Sequence, residues 1–190
     1  MSDTEKFKLS KIDAARRQLD CAIELWFHDG DEVSIHTLAA AAYQILHDIN
    51  QHLGGKEALF FDSSLVVEEY RREWLRVVKE PVNFFKHADK DPDGAIEFSP
   101  FGNITFIAFG MRGMVVLGQP ITDAMSAFQD WLTVHRPELI AEAARNKFRE
   151  AVPVEALEII RAMTKSEFFE SHVSARAEFR ARSGAKFPEF

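Results

Sequence analysis

Apolar residues return every three or four positions along most of the chain, a period that predicts helices in nearly every segment. Leu9, Ile12, Ala15, Leu19, Ile23 and Trp26 mark the first stripe and place a helix from Lys8 to Phe27. Asp29-Gly30-Asp31 interrupts it, and Ser34 is the expected N-cap of a second helix. That helix carries Ile35, Leu38, Ala42, Ile45, Ile49 and Leu53 on one face and ends at Gly54-Gly55. Its run Ala39 to Ala42 offers so little side chain that neighbouring helices can approach closely. A third helix is predicted from Ser64 to Lys79, with Val66, Tyr70, Trp74 and Val78 facing inward and Glu68/Arg72 paired outward. Pro81 then opens a short helix to Ala88, followed by a loop from Asp89 to Ser99.

Between Ile104 and Leu117 the β-branched residues and Gly110-Met111-Arg112-Gly113 also allow a hairpin. Ile104, Ile107, Ala108, Met111 and Val115 keep helical spacing, and an isolated hairpin would have no sheet to join, so a buried helix is the expectation. Thr122 should cap the next helix, which stops near Arg136-Pro137. Stripes from Pro137 to Phe148, Pro153 to Met163 and Ser166 to Phe179 predict three more. With no repeat and no low-complexity linker, the pattern gives an all-α bundle of about seven to eight helices, forming a single domain over 1–190.

Composition adds limits to this picture. At 190 residues and 46% hydrophobic, the chain can bury a full core without a disulfide or metal. Seventeen Phe against two Tyr and three Trp make most of its aromatic area hydrophobic bulk. The net charge of -7 is spread with both signs interspersed, so charge points away from nucleic acid. Cys21 stands alone and is expected as a buried small hydrophobe; a single cysteine excludes internal disulfides and the usual zinc arrays, consistent with a cytoplasmic address. The first six residues lack a basic-then-apolar leader, and Ile104 to Leu117 is too short and carries Arg112, so neither a secretion signal nor a membrane span is expected.

Candidate chemistry gathers in three places. In Asn83-Phe84-Phe85-Lys86-His87-Ala88-Asp89, helical spacing sets Asn83 and His87 one turn apart with Lys86 beside them. Amide, amine and imidazole can together orient an anionic or carbonyl group, with His87 as acid/base and Asp89 adjoining; capping of the helix end is the competing role. On the second helix His36, Tyr43 and His47 share a face distinct from its Ile/Leu stripe, able to line a cleft or to form a hydrogen-bonded edge. Asp89, Asp91 and Asp93, with Gly94 and Ile96, match the first eight positions of an EF-hand calcium loop, but position twelve is Pro100 where calcium wants a bidentate glutamate. Arg72, Arg76 and Lys79 form a basic stripe that neighbouring glutamates are expected to neutralise, and Glu24/His28 reads as an exposed pair. Phosphate loops, nucleophile elbows and zincin helices are absent.

The words Ser34-Ile35-His36-Thr37-Leu38-Ala39-Ala40-Ala41-Ala42-Tyr43 and Asn83-Phe84-Phe85-Lys86-His87-Ala88-Asp89 resemble those of a family of uncharacterised bacterial helical proteins, over about the first half of the chain. The helical pattern also has a looser similarity to HEPN domains, bundles that often act as RNases or nucleotide-binding partners, without their Arg-to-His spacing of four to six residues. Three functional expectations result. The first is a helical binding protein whose cleft, lined by helix two and Asn83 to Asp89, takes a small polar or anionic ligand. The second is a hydrolytic or RNA-cleaving enzyme with His87 or His36 as acid/base and Lys86 or Asn83 stabilising charge. The third is a structural homo-oligomer joined through Thr122 to His135 or Ser166 to Phe179.

Overall fold

The computed structural model describes residues 6–55, 57–64, 66–89 and 91–183. Among them lie eight α-helices, two 3-10 turns and no strand. The chain divides into two compact units, one containing the residues up to Ala22 with Asp31–Gln119, the other Ile23–Gly30 with the residues from Pro120 onward. One division point falls inside the first helix, α1 (Lys11–Phe27), where no change of composition marks it.

In the first unit, Ser10 and Asp13 cap α1 reciprocally: the Asp13 amide donates to Ser10 Oγ at 3.0 Å and that hydroxyl donates to Asp13 Oδ2 at 2.6 Å. The second helix, α2 (Glu32–His52), is capped by Asp31, whose carboxylate accepts from the Ser34 amide at 2.8 Å. The cap therefore sits three residues before the expected Ser34; a carboxylate answers both the free amides and the positive end of the helix dipole. At the other end Gly54 and Gly55 take φ of 91° and 63°, and the Gly55 amide closes on the Asn50 carbonyl at 2.8 Å.

The third helix, α3 (Glu68–Phe84), runs through Pro81 instead of stopping before it. The lost amide costs one bond, to the carbonyl of half-exposed Val77 where water can replace it, and the ladder resumes as the Phe85 amide donates to the Pro81 carbonyl at 3.0 Å. No separate helix forms from Pro81 to Ala88. Tyr70, expected inward, is 59% exposed at the first turn, while Trp74 and Val78 of the same stripe are half-buried. Glu68 pairs with Arg71 at 2.6 Å, not with Arg72. Arg71 also donates to the carbonyls of Phe61, Ser63 and Val66 at 3.3, 3.2 and 3.1 Å, which fixes the turn at Phe60–Asp62.

The fourth helix, α4 (Phe101–Val116), settles the helix-or-hairpin alternative for 104–117 in favour of helix. It packs most extensively on α2. Gly110 and Gly113 allow this closeness, since a Cβ on Gly113 would lie 3.0 Å from Leu46 Cβ and one on Gly110 would lie 3.0 Å from Leu19 Cδ1. Leu46 Cβ is fixed to its backbone, whereas Leu19 Cδ1 is a movable tip. Gly113→Val should therefore destabilise by about 2 kcal/mol through overpacking, while Gly110→Ala stays near neutral; urea melts of the two variants check the ordering.

In the second unit, Thr122 caps α5 (Asp123–His135) as expected, accepting from the Met125 amide at 3.2 Å. The stripe after Pro137 splits into a 3-10 turn, Pro137–Leu139, and α6 (Glu142–Ala151), because Ile140 and Ala141 are extended. Pro153 precedes α7 (Val154–Ala162), and α8 (Lys165–Ser183) runs past the expected Phe179. Phe27, Phe128, Trp131 and Phe168 form the aromatic core of the unit, with edge-to-face contacts such as Phe27 on Trp131 at 6.1 Å. Phe128 and Trp131 of α5 and Phe168 of α8 are thus buried inside their own unit, whereas Phe179 of α8 is 36% exposed. Among the described residues no helix is long and apolar enough to cross a membrane.

Candidate functional site

His36, on the first turns of α2, is 2% exposed and ringed by aromatic side chains. Phe85, Phe98 and Phe106 meet its imidazole edge-on at 5.8, 5.0 and 5.1 Å. Asn103 of α4, fully buried, binds its Nδ1 at 2.8 Å. Because Asn103 Nδ2 donates to the Glu32 carbonyl at 3.1 Å and to Glu32 Oε2 at 2.6 Å, its Oδ1 is left to accept, so the proton of His36 sits on Nδ1. Nε2 is then a bare nitrogen, buried and without a hydrogen-bond partner among the described residues. Burial pushes the His36 pKa down, opposed by Asn103 and reinforced by the Lys86 charge, so the ring stays neutral near pH 7.

His36 lines an apolar cavity of about 320 Å³ bounded by Val78 and Pro81 of α3 and by Phe98 and Phe106. His87 lines a different space, an open groove of about 870 Å³ along α3. Glu80 and Ile96 border both, so the two imidazoles occupy neighbouring hollows and do not share one. Asn83 and Asp89 lie in the groove with His87, as the sequence placed them. At the helix end the Asn83 backbone carbonyl accepts from the amides of Lys86 and His87 at 3.2 and 3.1 Å, so the main chain itself closes the last turn.

The basic stripe differs from its sequence expectation. Arg72, Arg76 and Lys79 all line the groove. With Glu68 taken by Arg71, no carboxylate among the described residues reaches ion-pair distance of Arg72 or Arg76. Lys79 lies over the Phe61 ring at 4.2 Å. Glu80, Asp89 and Asp91 contribute the groove's negative charge.

Tyr43 and His47 turn to the Phe60–Asp62 turn. The Tyr43 hydroxyl, fully buried, accepts from the Phe61 amide at 2.9 Å, and burial raises the phenol far above its usual range. His47 Nε2 and Gln51 meet Asp62 Oδ2 at 2.8 and 2.7 Å. Among the described residues no group of three His, Cys, Asp or Glu side chains is arranged to hold a metal ion, Asp89, Asp91 and Asp93 included. His28 Nδ1 bonds the Glu24 backbone carbonyl at 2.8 Å, not its carboxylate, and Cys21 is exposed where a buried position was expected.

Sequence reasoning missed a buried polar network in the second unit. Asp123, Ser126 and Asp130 repeat at helical spacing on α5, and His172, Arg176 and Arg180 do so on α8. Arg176, 6% exposed, donates to Asp123 Oδ1 at 2.9 Å and to Ser126 Oγ at 3.0 Å, and Arg180 binds Asp123 at 2.7 Å. Burial raises the Asp130 carboxyl to about 7, against the pull of Arg176. Burial, helped by Arg176 and opposed by Asp123, lowers His172 to about 4. Their closest approach is 3.8 Å, too long for a hydrogen bond, and with desolvation outweighing their attraction the two face each other as largely neutral groups near pH 6. The signal was available as matching polar residues at helical spacing on α5 and α8. No family model, curated protein or solved structure matches the chain.

Proposed function

We propose that the α3 groove binds a small anionic ligand and that the protein acts as a helical binding module. The observation carrying this reading is that Arg72 and Arg76, one turn apart and without carboxylate partners among the described residues, face the same open space as Asn83 and His87. Two guanidiniums at that spacing suit bidentate contact with a phosphate or carboxylate, and Asn83 can donate from further along the helix. Glu80, Asp89 and Asp91 limit the anion to the Arg72/Arg76 part of the groove, and the net charge of -7 disfavours an extended polyanion.

Calorimetric titration with ethyl phosphate tests the reading. Arg72→Gln/Arg76→Gln should weaken binding about tenfold or more, and added salt should weaken it in the unsubstituted protein. Equal affinities in the two proteins, or no binding to either, would overturn the proposal. Both positions are exposed, so the thermal melt of the double variant should be unchanged.

A further inference from the structure

The anion groove adjoins the apolar cavity beside His36, and the two share Glu80 and Ile96 as border residues. Arg76 and Val77 are consecutive, the first lining the charged side and the second the apolar side. From this juxtaposition we infer that the ligand is a free single-chain amphiphile, its anionic head on Arg72 and Arg76 and its hydrocarbon tail in the 320 Å³ cavity. The inference rests on the groove being an anion site.

The cavity wall is suited to such a tail. Val78, Pro81, Phe98 and Phe106 present hydrocarbon, and at its edge Val77 and Phe101 are 53% and 52% exposed, large apolar groups a tail could cover. His36 adds no charge to the wall, because its ring is held neutral and its proton is committed to Asn103. Size selects one chain. The cavity sits at the small end of ligand pockets, with room for one chain, and in the adjoining groove Arg72, Arg76, Glu80, Asp89 and Asp91 set charge beside the apolar Leu75 and Phe84.

An alkyl phosphate series from ethyl to decyl, each below its aggregation limit, tests the assignment by calorimetry. Affinity should rise about three- to fourfold for each methylene buried and then level off as the cavity fills. Val77→Trp at the edge and, from the opposite wall, Thr105→Phe should each flatten the series and leave ethyl phosphate affinity unchanged. Either variant suffices if the other proves unstable in a thermal melt. A flat series on the unsubstituted protein, with ethyl phosphate bound, overturns the tail site and leaves the anion site standing. A rising series that Arg72→Gln/Arg76→Gln does not weaken overturns the head assignment and the proposed function with it. Sedimentation of the same samples supplies the remaining outcome: a dimer that Val77→Trp converts to monomer would show that a second copy fills the cavity, overturning the inference.

Discussion

Asp130→Asn and His172→Gln should tilt the pH dependence of stability in opposite directions. Asp130 has a side chain 13% exposed and a folded-state carboxyl raised from 3.8 to about 7. Between those values the unfolded chain ionises while the native state keeps its proton, so this group makes stability fall as pH rises, completing the loss near 7. His172, 14% exposed, is lowered from 6.5 to about 4. Here the unfolded chain gains a proton the native ring refuses, so stability falls as pH drops from 6.5 towards 4. In the unsubstituted protein the two slopes largely cancel between pH 4 and 6.5. Removing either group exposes the other. Relative to the unsubstituted protein, stability should rise with pH in Asp130→Asn and fall with pH in His172→Gln, each by up to about 1.4 kcal/mol per pH unit. Above pH 7, where that loss is complete, Asp130→Asn retains the summed difference, a gain on the order of 4 kcal/mol, while Arg176 keeps Asp123 and Ser126 as partners. Urea melts at four pH values between 4.5 and 8 measure this, and slopes of the same sign in both variants would show that the pair is not held neutral by burial.

That network illustrates what periodicity reveals and what it hides. An apolar stripe identifies a helix and its buried face because transfer from water is a property of each residue, and α1, α2, α4 and α5 were legible on that basis. Pairing between helices is a property of the tertiary arrangement. Nothing local to Asp123 announces Arg176 and Arg180, 53 and 57 residues away, although the polar stripes were visible singly. The same limit applies to Glu68. Its partner could be Arg71 or Arg72 by helical spacing alone, and the choice fell to Arg71 because that guanidinium also reaches three carbonyls of the preceding turn. The consequence for the site was large, since Arg72 lines the groove without Glu68 as its partner. Pro81 misled for a different reason. Its conformational cost is real, yet a single lost bond at an exposed edge is smaller than the gain from continuing α3. Asn83, His87 and Asp89 were found together because helical spacing and short loops keep sequence neighbours close. The separation of His36 from that group depended on Phe85, Phe98 and Phe106 closing around it.

Asn103→Leu should cost about 3 kcal/mol, and His36→Phe in the same chain should recover most of it. Asn103 accepts from His36 and donates twice to Glu32, so it ties α4 to the first turn of α2 at full burial. Leucine leaves the His36 Nδ1 proton buried without an acceptor, a loss of about 1–3 kcal/mol, and adds the penalty of misfit in a close-packed site. Glu32 is exposed and regains its hydrogen bonds from water, so the damage centres on His36. A phenyl ring at position 36 needs no acceptor and meets three phenylalanines that already pack edge-on against the imidazole. Recovery in the double variant would mark the pair as an internal hydrogen bond replaceable by hydrocarbon, and ethyl phosphate affinity should then match that of the unsubstituted protein. A double variant no more stable than Asn103→Leu would contradict this account, because it would place the cost in the Glu32 contacts and not in the stranded imidazole proton.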